Sequence, residues 1–212
     1  MSSTDPFGRG RARRLFGLDR SAPPPPSTRR GEPLHPWTIP NAVGYLRLAA
    51  LPVFLVLAYN TEDGTSVASA MVFWAIAAGD YLDGILARIT GQYSRMGALL
   101  DPLVDRLTIL AGAVVCWSFD LLPHWALALL ALRELAMLLL AQYGLRHGVD
   151  IEVNWPGRIS VFPIMGGIFL ALIAPGWVAS ALLIWGLAMA ILATVRYAQA
   201  GLRATRATRA AS

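Results

Sequence analysis

Six apolar stretches dominate this sequence and leave it few ways to fold in water, although the fifth is short and would need help from neighbouring helices to cross a bilayer. About 20 apolar residues span a bilayer as a helix. Charged residues make up only 15% of the chain, whereas soluble domains carry about 25%. We predict an all-α polytopic membrane protein, a bundle of six transmembrane helices. The predicted spans are residues 41–59, 66–88, 98–118, 124–145, 159–174 and 177–199.

The charges in the loops predict the orientation of the bundle. Arginines occupy both tails and the loops 89–97 and 146–158, whereas the alternate loops carry only acidic charge. By the positive-inside rule, both termini then face the cytoplasm. Arginines that flank apolar spans fit anionic lipid head groups, and we expect no nucleic-acid partner. The predicted divisions are a disordered Arg- and Pro-rich tail, a membrane domain and a basic tail, at 1–36, 37–200 and 201–212.

Four aspartates lie in or beside the second and third predicted spans. Asp80 and Asp83 are three residues apart and Asp101 and Asp105 are four apart, so each pair shares one helical face. A short loop makes the two helices antiparallel neighbours, whose acidic faces can meet. Carboxylates in a membrane need a cation to hold, and oxygen ligands suit Mg²⁺, Mn²⁺ or Ca²⁺. The spacing predicts a divalent-metal site, with a structural ion-pair network or an ion-transport site as the alternatives.

Small residues and one arginine accompany the aspartates. Gly84 and Gly97 allow a ligand to approach the helices closely. Arg88 lies one turn beyond Asp83, and a guanidinium suits phosphate geometry. Metal, carboxylates and arginine together indicate phosphoryl or phosphodiester chemistry, in which a spare carboxylate takes the proton of an attacking hydroxyl.

The spacing of these residues resembles the signature of the CDP-alcohol phosphatidyltransferases. All eight signature positions are filled, in the order Asp80-x2-Asp83-Gly84-x2-Ala87-Arg88-x8-Gly97-x3-Asp101-x3-Asp105. The resemblance implies transfer of a phosphatidyl group from CDP-diacylglycerol to an alcohol, with release of CMP. It implies Mg²⁺ or Mn²⁺, two ions, held by the four aspartates, with Asp105 also the general base. The residues implied to line the CDP pocket are Gly84, Ala87, Arg88 and Gly97.

The start of the first span also resembles the family. Thr38-Ile-Pro-Asn41 leads to Arg47, which makes Asn41 and Arg47 expected contacts on the nucleotide side. The chain has Gly44 where the family commonly has Thr, so this part of the resemblance is weaker. The alternative for Arg47 is snorkelling to the membrane interface.

Three arginines of the later spans would suit an acceptor that carries phosphate: Arg133, Arg158 and Arg196. If they converge, glycerol 3-phosphate is the expected acceptor, as in phosphatidylglycerophosphate synthases. The alternatives are a structural pair of Arg133 with Glu134, and topology charges for the other two. Parts of the sequence also resemble CMP-forming cardiolipin synthases, which use phosphatidylglycerol, and an inositol phosphate acceptor stays open.

Other classes of protein use similar residues. An intramembrane prenyltransferase also uses aspartates and Mg²⁺, and a divalent-cation transporter would need carboxylates in the membrane. We expect an enzyme of the cell membrane that contacts membrane lipids, with its active site at the cytoplasmic face and a homodimer as one option.

The pair Gly166-Gly167 and Gly186 predict close helix packing.

Overall fold

The computed structural model describes residues 35–90, 92–147 and 160–211, and every regular element in these ranges is an α-helix. The all-α prediction is confirmed for this part of the chain, and the helices lie close to the predicted spans. They are α1 (Ile39–Tyr59), α2 (Val67–Thr90), α3 (Arg95–Ser118), α4 (His124–His147), α5 (Val161–Ala171) and α6 (Trp177–Ala211). Nearly all of the tail predicted over 1–36 lies outside the described ranges.

Two helices differ in length from the prediction. α5 ends at Ala171, because Pro175 disfavours a helical conformation in the residue before it and the chain turns there. α6 continues to Ala211, through the segment predicted as a basic tail. This extension is rich in Ala and Arg, both strong helix formers, so helical propensity persists where the apolar run has ended.

Large apolar side chains lie on the surface of the described helices, while a few charged side chains lie inside with the apolar core. Trp74 is 54% exposed and Trp185 58% exposed, whereas Arg47 is 3% exposed and Asp83 4% exposed. Large outward apolar surfaces suit a lipid environment, and charged groups within membrane segments face the protein interior. Among the described residues, three helices are apolar and long enough to cross a membrane: Ile39–Tyr59, Val67–Thr90 and the Trp177–Arg196 part of α6.

The chain divides into two compact units. The first contains the described residues up to Val53 and those from Val72 to Thr108, and it holds the acidic residues of α2 and α3. The second contains Phe54–Met71 and the described residues from Ile109 onward. The cut passes through α1, α2 and α3, so each of these helices contributes a segment to both units.

Within the second unit, α5 and α6 pack closely at glycines. A Cβ atom on Gly167 would lie 2.8 Å from the backbone nitrogen of Leu183, and one on Gly186 would lie 2.8 Å from Ile164. The prediction of close packing is confirmed at these two positions. It is wrong for Gly166, where a Cβ atom would meet nothing within 4 Å.

A tight turn joins α1 to α2 in the same unit. Gly64 has a φ of +75°, and a Cβ atom there would lie 2.4 Å from the ring of Phe119. Asp63 accepts hydrogen bonds from the backbone N–H and the hydroxyl of Thr65, at 2.9 and 2.8 Å. These bonds, the backbone one first, hold the pKa of Asp63 below its ordinary value.

Candidate active site

Asp80, Asp83, Asp101 and Asp105 form an acidic cluster. Arg47 of α1 lies in the middle of this acidic cluster. Its Nη1 donates to Asp83 Oδ2 at 3.0 Å and lies 3.6 Å from Asp80 Oδ1. Its Nη2 donates to Asp105 Oδ1 at 2.6 Å. One guanidinium therefore brings together carboxylates from α2 and α3, and the expected meeting of the two acidic faces is observed.

The backbone of α2 fixes the position of the Arg47 guanidinium. Its Nε donates to the carbonyl oxygen of Ile76 at 2.8 Å. Gly79 provides the room, because a Cβ atom there would lie 2.7 Å from Cδ and 2.8 Å from Cγ of Arg47. The sequence reading did not single out Gly79, although a glycine directly before Asp80 in an apolar helix is a signal of close approach.

The carboxylates of the cluster differ in exposure. The side chain of Asp83 is 5% exposed, whereas those of Asp105 and Asp80 are 37% and 49% exposed. Asp101 is half-buried and interacts electrostatically with the other three aspartates. The cluster thus has a buried end at Asp83 and an open end at Asp80 and Asp105, where a substrate can approach.

The chemistry of these side chains fits a divalent cation such as Mg²⁺ or Mn²⁺. The donors are all carboxylate oxygens, which such cations prefer, and no His or Cys lies between Asp80 and Asp105 in the sequence. In 35–90, 92–147 and 160–211, no three acidic, His or Cys side chains are arranged to hold a metal ion. Asp83 and Asp105 direct their oxygens at Arg47 instead. Arg47 engages one oxygen of each carboxylate, so a bound cation and this guanidinium would share the same two aspartates.

A hydrogen-bond network fixes the start of α3. Ser94 directly precedes the helix; its hydroxyl oxygen accepts from the N–H of Gly97 at 2.9 Å, which is N-cap geometry. The same hydroxyl donates to Asn41 Oδ1 at 2.8 Å. Sequence reasoning missed Ser94, although a serine before a helical run is a start signal.

Asn41 lies inside the protein and takes part in this network with all of its polar side-chain atoms. It is 2% exposed, and its Nδ2 donates to the carbonyl oxygens of His35 and Pro36, both at 3.0 Å. A Cβ atom on Gly97 would lie 2.8 Å from Asn41 Oδ1. Asn41 thus bridges the starts of α1 and α3 by hydrogen bonds, and the nucleotide contact expected from the sequence stays a prediction.

Three expected donor-site residues lie together near the end of α2. A Cβ atom on Gly84 would lie 3.4 Å from Nη1 of Arg88, so the guanidinium folds back over the glycine one turn earlier. Gly84, Ala87 and Arg88 are all half-buried. Space at Gly84 is therefore used, at least in part, by the side chain of Arg88.

The three expected acceptor arginines have different surroundings. Arg133 donates from Nη1 to Glu134, and both side chains are largely buried, at 12% and 3% exposed. The Nε atom of Arg133 is buried and has no hydrogen-bond partner among the described residues. Arg196 lies exposed on α6, and Arg158 lies outside the described ranges. The alternative that the sequence left open, a structural pair of Arg133 with Glu134, is the one observed.

Comparison with known proteins agrees with the signature. The CDP-alcohol phosphatidyltransferase family profile matches residues 37–192. The "Cardiolipin synthase (CMP-forming)" of Streptomyces coelicolor is 37% identical over 170 residues, which cover 77% of this chain and 79% of the relative. A "Probable phosphatidylglycerophosphate synthase" of Mycobacterium tuberculosis is 36% identical over 162 residues, covering 73% and 75%. The "CDP-diacylglycerol--glycerol-3-phosphate 3-phosphatidyltransferase" of Bacillus subtilis is 26% identical over 138 residues, covering 59% and 72%.

Proposed function

Since this chain belongs to the CDP-alcohol phosphatidyltransferase family and is therefore a phosphatidyltransferase, we propose that its acidic cluster is the active site. The observation that carries the proposal is the convergence of Asp80, Asp83 and Asp105 on one buried guanidinium, within 3.6 Å. It gathers signature carboxylates from two helices at one point. The reaction transfers a phosphatidyl group from CDP-diacylglycerol to an alcohol and releases CMP.

Asp105 is the proposed general base. Its side chain is 37% exposed, so an acceptor hydroxyl can reach it, in contrast to the buried Asp83. The deprotonated hydroxyl attacks the β-phosphorus of the donor, and the bond from that phosphorus to the CMP oxygen breaks. One O–P bond forms, between the acceptor oxygen and the β-phosphorus, and one O–P bond breaks. CMP leaves with the electron pair of the broken bond.

A divalent cation, Mg²⁺ or Mn²⁺, is proposed to be held by the four aspartates of the cluster, with two ions as the expected number. When bound, such a cation neutralises the pyrophosphate and stabilises the developing charge. Gly84, Ala87, Arg88 and Gly97 are proposed to line the CDP site. Arg88 supplies a guanidinium for the donor phosphates, and Gly97 keeps the start of α3 close to Asn41.

The proposed acceptor is a glycerol alcohol that carries phosphate. We rank phosphatidylglycerol first, because the relative named cardiolipin synthase is similar over 77% of this chain. Glycerol 3-phosphate ranks second, favoured by the relative named phosphatidylglycerophosphate synthase. The sequence alone ranked them in the opposite order, on the basis of three converging arginines. Since Arg133 is engaged by Glu134, we retain only Arg158 and Arg196 as candidates for the acceptor phosphate.

The other classes considered from the sequence are set aside by the family membership. A prenyltransferase would release pyrophosphate, and a cation transporter would release no nucleotide, whereas a phosphatidyltransferase of this family releases CMP.

The proposed setting is the cell membrane, with six spans, both termini in the cytoplasm and the active site at the cytoplasmic face. The arginine-rich loops and tails support this orientation. Exposed tryptophans close to helix ends support the membrane placement, because this side chain favours the lipid–water interface. These are Trp37, Trp117, Trp125 and Trp177. We also propose a homodimer, which a measurement of the molecular mass in detergent would test.

The experiment that tests the function supplies purified protein with CDP-diacylglycerol and Mg²⁺ and then with one acceptor at a time. We expect CMP release with phosphatidylglycerol, with cardiolipin as the lipid product. CMP release with glycerol 3-phosphate alone would exchange the two ranked acceptors. No CMP release with any phosphate-bearing alcohol, inositol phosphate included, would contradict the proposed function.

A further inference from the structure

The surroundings of Arg47 go beyond what a nucleotide contact would need. The side chain is 3% exposed, and each of its three nitrogens has a partner: Nε the carbonyl of Ile76, Nη1 Asp83, and Nη2 Asp105. A guanidinium whose nitrogens all bond to protein groups has little left to offer a ligand. These partners come from two helices, so the arginine holds α2 and α3 carboxylates in fixed positions.

Asp83 and Asp105 are also two of the proposed ligands of the divalent cation. Carboxylates within a membrane-spanning bundle repel one another unless a positive charge lies among them. Arg47 supplies such a charge. A cation held by the same two carboxylates would lie close to the guanidinium, so the two positive groups would repel each other and compete for the same negative charge.

We infer that Arg47 is an internal counter-cation: it positions Asp83 and Asp105 and competes with the divalent cation for their negative charge. The inference rests on the proposed function, since it needs the acidic cluster to be the cation site. Arg47 is thus a positioning residue, and its nitrogens need not touch either substrate.

Gly79 is part of the same arrangement. A Cβ atom at this position would lie 2.7 Å from Cδ of Arg47, which is closer than real Cβ contacts. An alanine would therefore push the flexible arginine side chain away from its partners without removing its charge. Gly79→Ala should therefore weaken the Arg47 contacts less than a substitution of Arg47 itself does. Gly166→Ala is the matched control for Gly79→Ala, because a Cβ atom on Gly166 meets nothing within 4 Å.

The test is the affinity of the purified protein for Mn²⁺ in the absence of substrates, measured by isothermal titration calorimetry. Arg47→Met removes the competing charge, and we expect Mn²⁺ to bind about tenfold tighter, equivalent to about 1.4 kcal/mol. Arg47→Lys keeps the charge but cannot reach both carboxylates and the Ile76 carbonyl together, so a smaller gain is expected. Gly79→Ala should fall between wild type and Arg47→Met, and Gly166→Ala should match wild type.

Melting temperatures in chelator and in Mn²⁺ provide the second measurement. Arg47→Met should melt lower than wild type in chelator, and Mn²⁺ should raise its melting temperature more than that of wild type. If Arg47→Met yields no folded protein, the Mn²⁺ affinities of Arg47→Lys and Gly79→Ala test the inference, and both should be higher than that of wild type.

Equal or weaker Mn²⁺ binding in the Arg47 and Gly79 variants, with a raised KM for CDP-diacylglycerol, would overturn the inference and make Arg47 a donor contact. A wild-type protein that releases CMP but binds no Mn²⁺ or Mg²⁺ would instead overturn the proposed cation site. Since the first result leaves wild-type binding intact and the second does not, the two failures are distinguishable.

Discussion

Arg47 and Arg133 both lie in apolar helices with their guanidinium groups paired to carboxylates, and their partners differ. Arg47 bonds to Asp83 and Asp105, residues 36 and 58 positions away, and to a backbone carbonyl. Arg133 bonds to its direct neighbour, Glu134, and leaves its Nε without a hydrogen-bond partner in the described part of the chain. Both are ion pairs in surroundings where a lone charge is expensive.

These surroundings separate a charge kept for function from one kept for structure. The Arg133–Glu134 pair is local, so it can neutralise a charge without organising the fold around it. The Arg47 group gathers three carboxylates from two helices, more negative charge than one guanidinium balances. We attribute the surplus negative charge to the reaction, and variants of the two groups test this contrast.

The largest expected effect is on turnover. Asp105→Asn removes the proposed base, and general-base catalysis contributes about 10²- to 10⁴-fold, so CMP release should fall by a factor in that range. Asp120→Asn is the matched control: this residue is an exposed aspartate with a φ of 56°, a conformation that Asn tolerates. Full activity in Asp105→Asn would show that Asp105 is not the general base.

The next effect is on stability and separates the two arginines. Arg47→Met and Arg133→Met each leave buried acid behind, and each should lower the free energy of unfolding by about 3–5 kcal/mol. Mn²⁺ should restore much of the loss in Arg47→Met, where several carboxylates remain to receive it, and should stabilise Arg133→Met only as much as it stabilises wild type. Chemical unfolding in mixed micelles with and without Mn²⁺ measures this. Equal recovery in both variants would show that the contrast is false.

The sequence predicts the helices well because apolar runs of membrane length and short polar loops are local features. It predicts less well where other forces decide: propensity extends α6 to Ala211, and the turn before Pro175 shortens α5. The acidic pairs on α2 and α3 were predicted to meet because both pairs have helical spacing and a short loop joins them. The helix positions and the meeting of α2 and α3 could be predicted because they depend only on local sequence and on the contact between two consecutive helices.

The role of Arg47 could not be read from the sequence in the same way. Its partners are far away along the chain, and only the packing of α1 against α2 and α3 brings them together. An arginine near the start of a span is compatible with snorkelling, nucleotide binding or an internal pair. Gly79 was the available signal, since a glycine beside Asp80 makes room for a large side chain.

A smaller effect tests whether the Arg133–Glu134 pair is only structural. The double variant Arg133→Met with Glu134→Met removes both charges, and replacing a buried pair by apolar residues is often neutral. We expect its unfolding free energy to lie within about 1 kcal/mol of wild type. Its KM for the acceptor, measured by CMP release, should be unchanged. A several-fold higher acceptor KM would return Arg133 to the acceptor site.

The smallest expected effect concerns the support of the acidic cluster. Ser94→Ala removes the N-cap of α3 and the hydroxyl that binds Asn41, and should lower stability by about 1 kcal/mol. Asn41→Ala should have a similar effect on thermal unfolding. If Asn41→Ala raises the KM for CDP-diacylglycerol far more than Ser94→Ala does, then Asn41 contacts the nucleotide and its position in the network is incidental.

The most direct test of the central claim is the number of Mn²⁺ ions bound per chain, counted by electron paramagnetic resonance on the purified protein. If the acidic cluster is the cation site, wild type binds Mn²⁺, and Asp83→Asn combined with Asp101→Asn abolishes that binding while Asp63→Asn with Asp120→Asn leaves it intact. Mn²⁺ binding that survives the loss of Asp83 and Asp101 would contradict the account.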